Sequence, residues 1–230
     1  MLQRRTPFTK IGMMLFPSLS ELEFMAPYGI FSYLPNTQIY RIAPTLEPIY
    51  SDTGFPLIPN TSFKEVPELD VLFVPGGLGV TAKLEDAEFL RFLQIQGERA
   101  RYVTSICSGS LLLAAATLLR GYRATTDWSS LTLLAMFGAE SVADRIVVDR
   151  NRITASSLTD GLALGSVIAQ ELLGDAIAQE AQLRLNYSPT LFTDSFPESL
   201  HLETFDSIRV EQQTLSRARL QIIRRITSTV

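Results

Sequence analysis

Residues 101–119, RYVTSICSGSLLLAAATLL, decide how this chain is read. Arg101 to Ile106 is a short run, rich in β-branched and apolar side chains, that suits a strand covered on both faces. Cys107 follows without a spacer, and SGSLLLAAATLL then reads as a helix that starts at once. Ala114, Ala115 and Ala116 keep that helix thin enough to lie close against a sheet. Ser105-Ile106-Cys107-Ser108-Gly109 therefore has the form of a nucleophile elbow, with cysteine in the nucleophile position and small residues beside it where the backbone must bend sharply.

The same alternation extends in both directions. Phe8 to Phe16 predicts a first buried strand, Pro17 to Ser20 a turn, and Glu21 to about Tyr33 a helix that Ser20 is placed to cap. Gln38 to Ala43 and short segments up to Pro59 read as strands with polar turns. Asp70 to Val74 is another buried strand, ending in Pro75-Gly76-Gly77, and a helical pattern follows from about Ala82 to Arg99. Arg145 to Ala155 predicts a hairpin turning at Asp149 to Asn151, and Leu158 to Tyr187 predicts two helices broken near Gly174-Asp175. Strands alternating with helices imply an α/β chain with a mostly parallel sheet and helices on both faces.

From Tyr187 the composition shifts, and residues 191–230 read as a linker plus a C-terminal amphipathic helix, separate from an α/β domain over 1–190. Phe205, Ile208, Leu215, Ile222 and Ile226 step by 3, 7, 7 and 4 and share one stripe of that helix, from about Glu203 to Thr227. Packing on its own domain and packing on a second subunit are equally open as ways to bury the stripe.

Bulk composition excludes several classes. With 230 residues, 46% of them hydrophobic, the chain can bury one substantial core, and a formal charge of -4 gives no pull toward nucleic acid or anionic lipid. No apolar run approaches the roughly 18 residues of a membrane span, and IGMMLF after the basic N-terminus stops at Pro17 without a cleavage site for a signal peptide. One cysteine and one histidine, far apart, leave neither a disulfide nor a zinc cluster. A cytoplasmic, metal-free protein is the expectation.

Ligands in an open parallel sheet gather outside the carboxyl ends of the strands. Glu21 and Glu23 follow the first strand there, Gly76-Gly77 the DVLFV strand, and Cys107 the RYVTSI strand. A thiol at a helix start is expected to be ionised by the helix dipole and unpaired N–H groups. The Ser108 N–H, with the backbone of Gly76 or Gly77, would then cradle developing negative charge. Each feature has a plainer reading: a buried apolar cysteine, first-turn carboxylates, an ordinary glycine turn, a solvated His201, and Asp127 as a helix N-cap.

The stretches LFPSLSELEFMAPYGIFSYLP, LDVLFVPGGLGV, ARYVTSICSGSLLLAAATLLRGYRATTDW and VVDRNRITASSLTDGLALG, with the run through AQLRLNYSP, resemble the ThiJ/PfpI superfamily over about residues 8–190, and within it the isocyanide hydratases. The resemblance implies a flavodoxin-like sheet, a homodimer, no cofactor and a small-molecule substrate. It places the family cysteine on Cys107, its acidic partner on Glu23, the neighbouring hydroxyl on Ser108, and the oxyanion pocket around Gly76 and Gly77. Asp127 stands where many relatives carry His in a T-T-H-W element, Ala155-Ser156-Ser157 replaces a glycine-rich stretch, and Ala163 an expected Asp. Without a core imidazole a Cys-His protease is disfavoured, whereas a hydratase running on Cys and a carboxylic acid is not.

The implied chemistry is addition of water to an isocyanide or similar small electrophile, giving an N-substituted formamide through a Cys107 thioimidate with Glu23 as acid and base. A non-catalytic or redox-sensing protein using an oxidisable Cys107 is the alternative. The sensor half of an AraC-type regulator is a further rival, against which the tail of about 40 residues reads as too short for paired helix-turn-helix units.

Overall fold

The computed structural model describes residues 8–185, 187 and 202–227, without the side chains of 202–209, 211, 212 and 215. The expected linker from 191 and His201 lie outside the described residues, as do the side chains of the stripe members Phe205, Ile208 and Leu215.

Buried apolar runs become the strands of a central sheet. β1 (Thr9–Met14) leads into α1 (Glu21–Ser32), β2 (Thr37–Ala43) and three two-residue strands, β3 (Ile49–Tyr50), β4 (Pro56–Leu57) and β5 (Thr61–Ser62). β6 (Val71–Val74) is followed by α2 (Val80–Lys83) and α3 (Ala87–Arg99), then β7 (Tyr102–Ile106) and α4 (Gly109–Ala115). β8 (Arg123–Ala124), α5 (Leu131–Met136) and β9 (Glu140–Ser141) precede the hairpin of β10 (Ile146–Asp149) and β11 (Arg152–Ala155). A 3₁₀ turn at Leu158–Asp160, α6 (Gly161–Leu173), α7 (Asp175–Arg184) and α8 (Leu202–Thr227) complete the chain.

The main sheet has seven strands in the order β10-β11-β7-β6-β1-β2-β5, and only the β10–β11 edge pair is antiparallel. From β1 the chain builds outward through β2 to β5, then crosses back to β6 on the other side. That reversal between β1 and β6 is the switch point where a doubly wound sheet opens a crevice at its strand ends. Every residue of β6 and β7 is buried, as strands covered on both faces require. α1 packs on α6 and α6 on α7, whereas α4 meets α2, α3 and α5, so helices cover both sides of the sheet.

Several local expectations are revised. The helix expected from Ala82 to Arg99 is two helices, because Asp86 takes a non-helical conformation and its carboxylate caps α3 by accepting from the Phe89 N–H at 3.0 Å. α4 stops at Ala115 rather than Leu119, since Thr117 turns to a φ of 65°. Ser20 holds the N-cap position of α1 without a side-chain capping bond.

The C-terminal helix docks on the α/β body. It packs against α2 and α5, with Ile223 fully buried in the main core and Leu220 and Ile222 partly buried against it. The Ser216 hydroxyl donates to the Ser129 carbonyl at 3.0 Å, and Arg225 pairs with Glu85. Of the apolar stripe, Ile222 is therefore used within the same chain. Among the described residues, no helix is long and apolar enough to cross a membrane.

Candidate active site

β7, β6 and β1 are neighbours in the sheet, so the residues just past their carboxyl ends meet. Cys107 follows β7 with a φ of 52°, the left-handed region that costs a residue bearing a Cβ of order 1–3 kcal/mol. Two bonds hold it in that conformation: its N–H donates to the Ala155 carbonyl, and its own carbonyl accepts the Thr126 hydroxyl, both at 2.8 Å. The close approach of the chain behind it requires Gly109, where a Cβ would run into the carbonyl oxygens of Val74 and Pro75. The elbow expected from the sequence is present, with Cys107 in the left-handed conformation at its bend.

The first turn of α1 separates the two expected carboxylates. Glu21 faces outward and accepts the Thr53 hydroxyl at 2.6 Å, which holds its carboxyl below the ordinary range. Glu23, 5% exposed, turns inward and accepts the Gly76 N–H at 2.7 Å. Burial lifts its carboxyl from 4.5 to about 7, partly opposed by the Gly76 N–H and by a hydrogen bond with the Cys107 thiol. Ser108 is buried beside them, and its hydroxyl accepts the Gly77 N–H at 3.2 Å. A Cβ at position 76 would stand 2.6 Å from Glu23 Oε2 and 2.7 Å from Ser108 Oγ, so glycine there is what lets the two side chains share one wall.

This geometry corrects the expected state of the thiol. Cys107 as a residue keeps some solvent contact, yet its sulfur is deep enough that burial pushes the thiol well above its ordinary range. Negative charge on Glu23 and Asp127 acts in the same direction, and the Ser108 N–H, the donor foreseen beside the sulfur, opposes it without prevailing. Ionisation of the Cys107 sulfur beside Glu23 is therefore disfavoured, in contrast to the ionised sulfur expected from the sequence. The cradle expected from Gly76 and Gly77 is altered too, because both amides already donate, to Glu23 and to Ser108.

Asp127 is not a helix cap. α5 begins four residues later, with Ser130 at its N-cap, and the Asp127 carboxylate instead accepts the Ser129 hydroxyl at 2.5 Å. Its Oδ2 lies 3.6 Å from Nη1 of Arg219, on α8, and Arg219 also donates to Ser130 Oγ at 3.0 Å. Arg219 is 2% exposed and went unnoticed in the sequence, although it falls between Leu215 and Ile222, a charged residue on the apolar stripe.

The Ala155-Ser156-Ser157 segment is held by another acid that sequence reasoning passed over. Buried Asp160 accepts the Arg145 guanidinium at 2.9 and 2.6 Å, and the hydroxyls of Ser156 and Ser157 at 3.3 and 2.8 Å. That anchor supports the carbonyl of Ala155, which holds the elbow. Ala163 lies within α6.

A strand-end cysteine in a left-handed conformation, beside a buried carboxyl from the first helix of a doubly wound sheet, places the chain among flavodoxin-like proteins. Comparison with known proteins makes the class specific. Residues 9–171 match the DJ-1/PfpI family, and the chain belongs to that family. It is 41% identical over 217 residues to an isonitrile hydratase of Pseudomonas putida, covering 94% of this chain and 95% of that one. A crystal structure of a ThiJ/PfpI family protein from Pseudomonas syringae superposes with a TM-score of 0.89 at 36% identity, covering 95% of this chain and 91% of the other. An HTH-type transcriptional regulator, GbdR of Pseudomonas aeruginosa, is 28% identical across 68% of this chain and 44% of its own length.

Proposed function

We propose that the protein is a cysteine-dependent hydratase that adds water to an isocyanide or similar small electrophile and releases an N-substituted formamide. The observation that carries the reading is the buried Glu23–Cys107 pair, whose carboxyl is poised at about 7. The extent of likeness to the P. putida isonitrile hydratase supports it.

In the proposed sequence, Cys107 Sγ attacks the terminal carbon of R–N≡C while its proton passes to the Glu23 carboxylate. Glu23 returns that proton to the same carbon, leaving the thioimidate R–N=CH–S–Cys107. Water, deprotonated by Glu23, adds to this carbon, and the nitrogen takes up a proton. Collapse of the tetrahedral adduct breaks the C–S bond, releases R–NH–CHO and restores the thiol. Charge in the first step builds on the carbon that is then protonated, so the step needs a proton carrier more than an oxyanion hole. A site whose Gly76 and Gly77 amides are committed to aligning Glu23 and Ser108 suits that demand. Ser108 acts by fixing the wall beside the sulfur. A redox sensor, by contrast, calls for an accessible thiolate, and burial works against one here.

Turnover of an isocyanide to its formamide, followed by NMR, tests the proposal. Cys107→Ala is expected to abolish product, and Glu23→Gln to slow its formation by about two orders of magnitude. Full activity in Cys107→Ala would refute the mechanism. A homodimer is part of the same reading, and sedimentation at micromolar concentration, with a mass of one chain, would remove it.

A further inference from the structure

The site described above contains three groups that are neutral or negative, Cys107, Glu23 and Asp127, and its cation comes from the far end of the chain. Arg219 reaches in from α8, pairs loosely with Asp127 at 3.6 Å and donates to Ser130 at 3.0 Å. Its Nε is buried without a hydrogen-bond partner among the described residues. A guanidinium 2% exposed, with one donor unused, costs stability compared with an apolar side chain at the same place on the stripe. Contacts that serve folding alone do not require it, because Ile223 and its neighbours already bury the helix.

We infer that Arg219 is a positioning residue of the site: it holds Asp127 turned toward α8 and supplies the positive charge that offsets the sulfur anion forming at Cys107. The charged groups around that sulfur come from three elements: Glu23 from α1, Asp127 from the loop before α5, and Arg219 from α8. Burial lowers the proton affinity of Arg219 while Asp127, Cys107 and Glu23 raise it, so the guanidinium lies within electrostatic reach of all three. Removing Arg219 leaves two carboxyls and a nascent thiolate with no nearby cation among the described side chains, and the thiolate becomes harder to form. The last helix is then part of the reactive centre and not an accessory to it.

The role rests on a reactive Cys107 but not on isocyanide as substrate, so the test reads the thiol itself. Alkylation of Cys107 by neutral iodoacetamide is followed by intact mass from pH 7 to 9.5, in the full chain. Arg219→Met is expected to alkylate about tenfold more slowly than wild type at each pH, Arg219→Lys within about threefold, and Asp127→Asn at least threefold faster. Fluorescence of Trp128, the single tryptophan next to Asp127, reports whether α8 is docked. A docked Arg219→Met protein that alkylates as fast as wild type, or faster, overturns the inference. If Arg219→Met does not fold, Asp127→Asn decides, and Asp127→Asn at or below the wild-type rate overturns the inference. Loss of formamide production with these alkylation rates unchanged would leave the thiol chemistry alone and count against Arg219.

Discussion

Replacing Glu23 by Gln should make the protein more stable as the pH rises, relative to wild type, even as it removes the proposed acid. The perturbation keeps the size of the side chain and the acceptor for the Gly76 N–H but can never carry charge. In wild type the folded carboxyl titrates at about 7 against an ordinary 4.5, because burial penalises its ionised form. Between those two values the folded state binds the proton more tightly than the unfolded chain does. Stability from this group is therefore complete below 4.5 and declines as pH climbs through 7. The interval corresponds to about 3 kcal/mol. Urea unfolding of both proteins from pH 4.5 to 8.5 should show curves whose separation grows by about that amount in favour of Glu23→Gln. In melting temperature the change is roughly 6–12 °C for a chain of this size. Parallel curves across the whole range would show that Glu23 titrates normally and would remove the physical basis for its role.

Other perturbations probe the supports of the site. Gly76→Ala places a methyl 2.6 Å from Glu23 Oε2 and should lower kcat at least ~100-fold by displacing that carboxyl, measured as formamide production. Ile223→Ala empties a fully buried position beneath α8 and should cost about 2–5 kcal/mol in urea unfolding. Asp160→Ala removes the acceptor shared by Arg145, Ser156 and Ser157 and should cost about 2 kcal/mol. It should also slow Cys107 alkylation by loosening the segment whose Ala155 carbonyl fixes the elbow.

Much of this architecture is legible in the chain because each strand is a short apolar run ended by a turn signal. RYVTSI and DVLFV are recognisable as fully buried strands, and Gly174-Asp175 does divide two helices. What failed was local: Asp86 ended a pattern that hydrophobic spacing carried straight through, and Thr117 shortened α4 without a glycine or proline to announce it. At the site, Cys107, Glu23, Ser108 and Gly76 could be placed together because each follows a strand end. Their charge state could not, since it depends on how far burial outweighs one amide, which spacing does not encode. Asp127 was read from its neighbours in sequence, while its partner lies about 90 residues away on α8. The arginine on the apolar stripe was the available signal, and it becomes interpretable only once the helix is docked.

The account stands on one shared proton between Glu23 and Cys107, and the pH dependence of kcat/KM for isocyanide hydration tests it most directly. The pair must carry a single proton to react, so activity should rise with pH through a midpoint near 7 and hold to the alkaline side. In Glu23→Gln that acid limb should vanish along with most of the rate. An acid limb in wild type below pH 5, or one that survives unchanged in Glu23→Gln, would contradict the account.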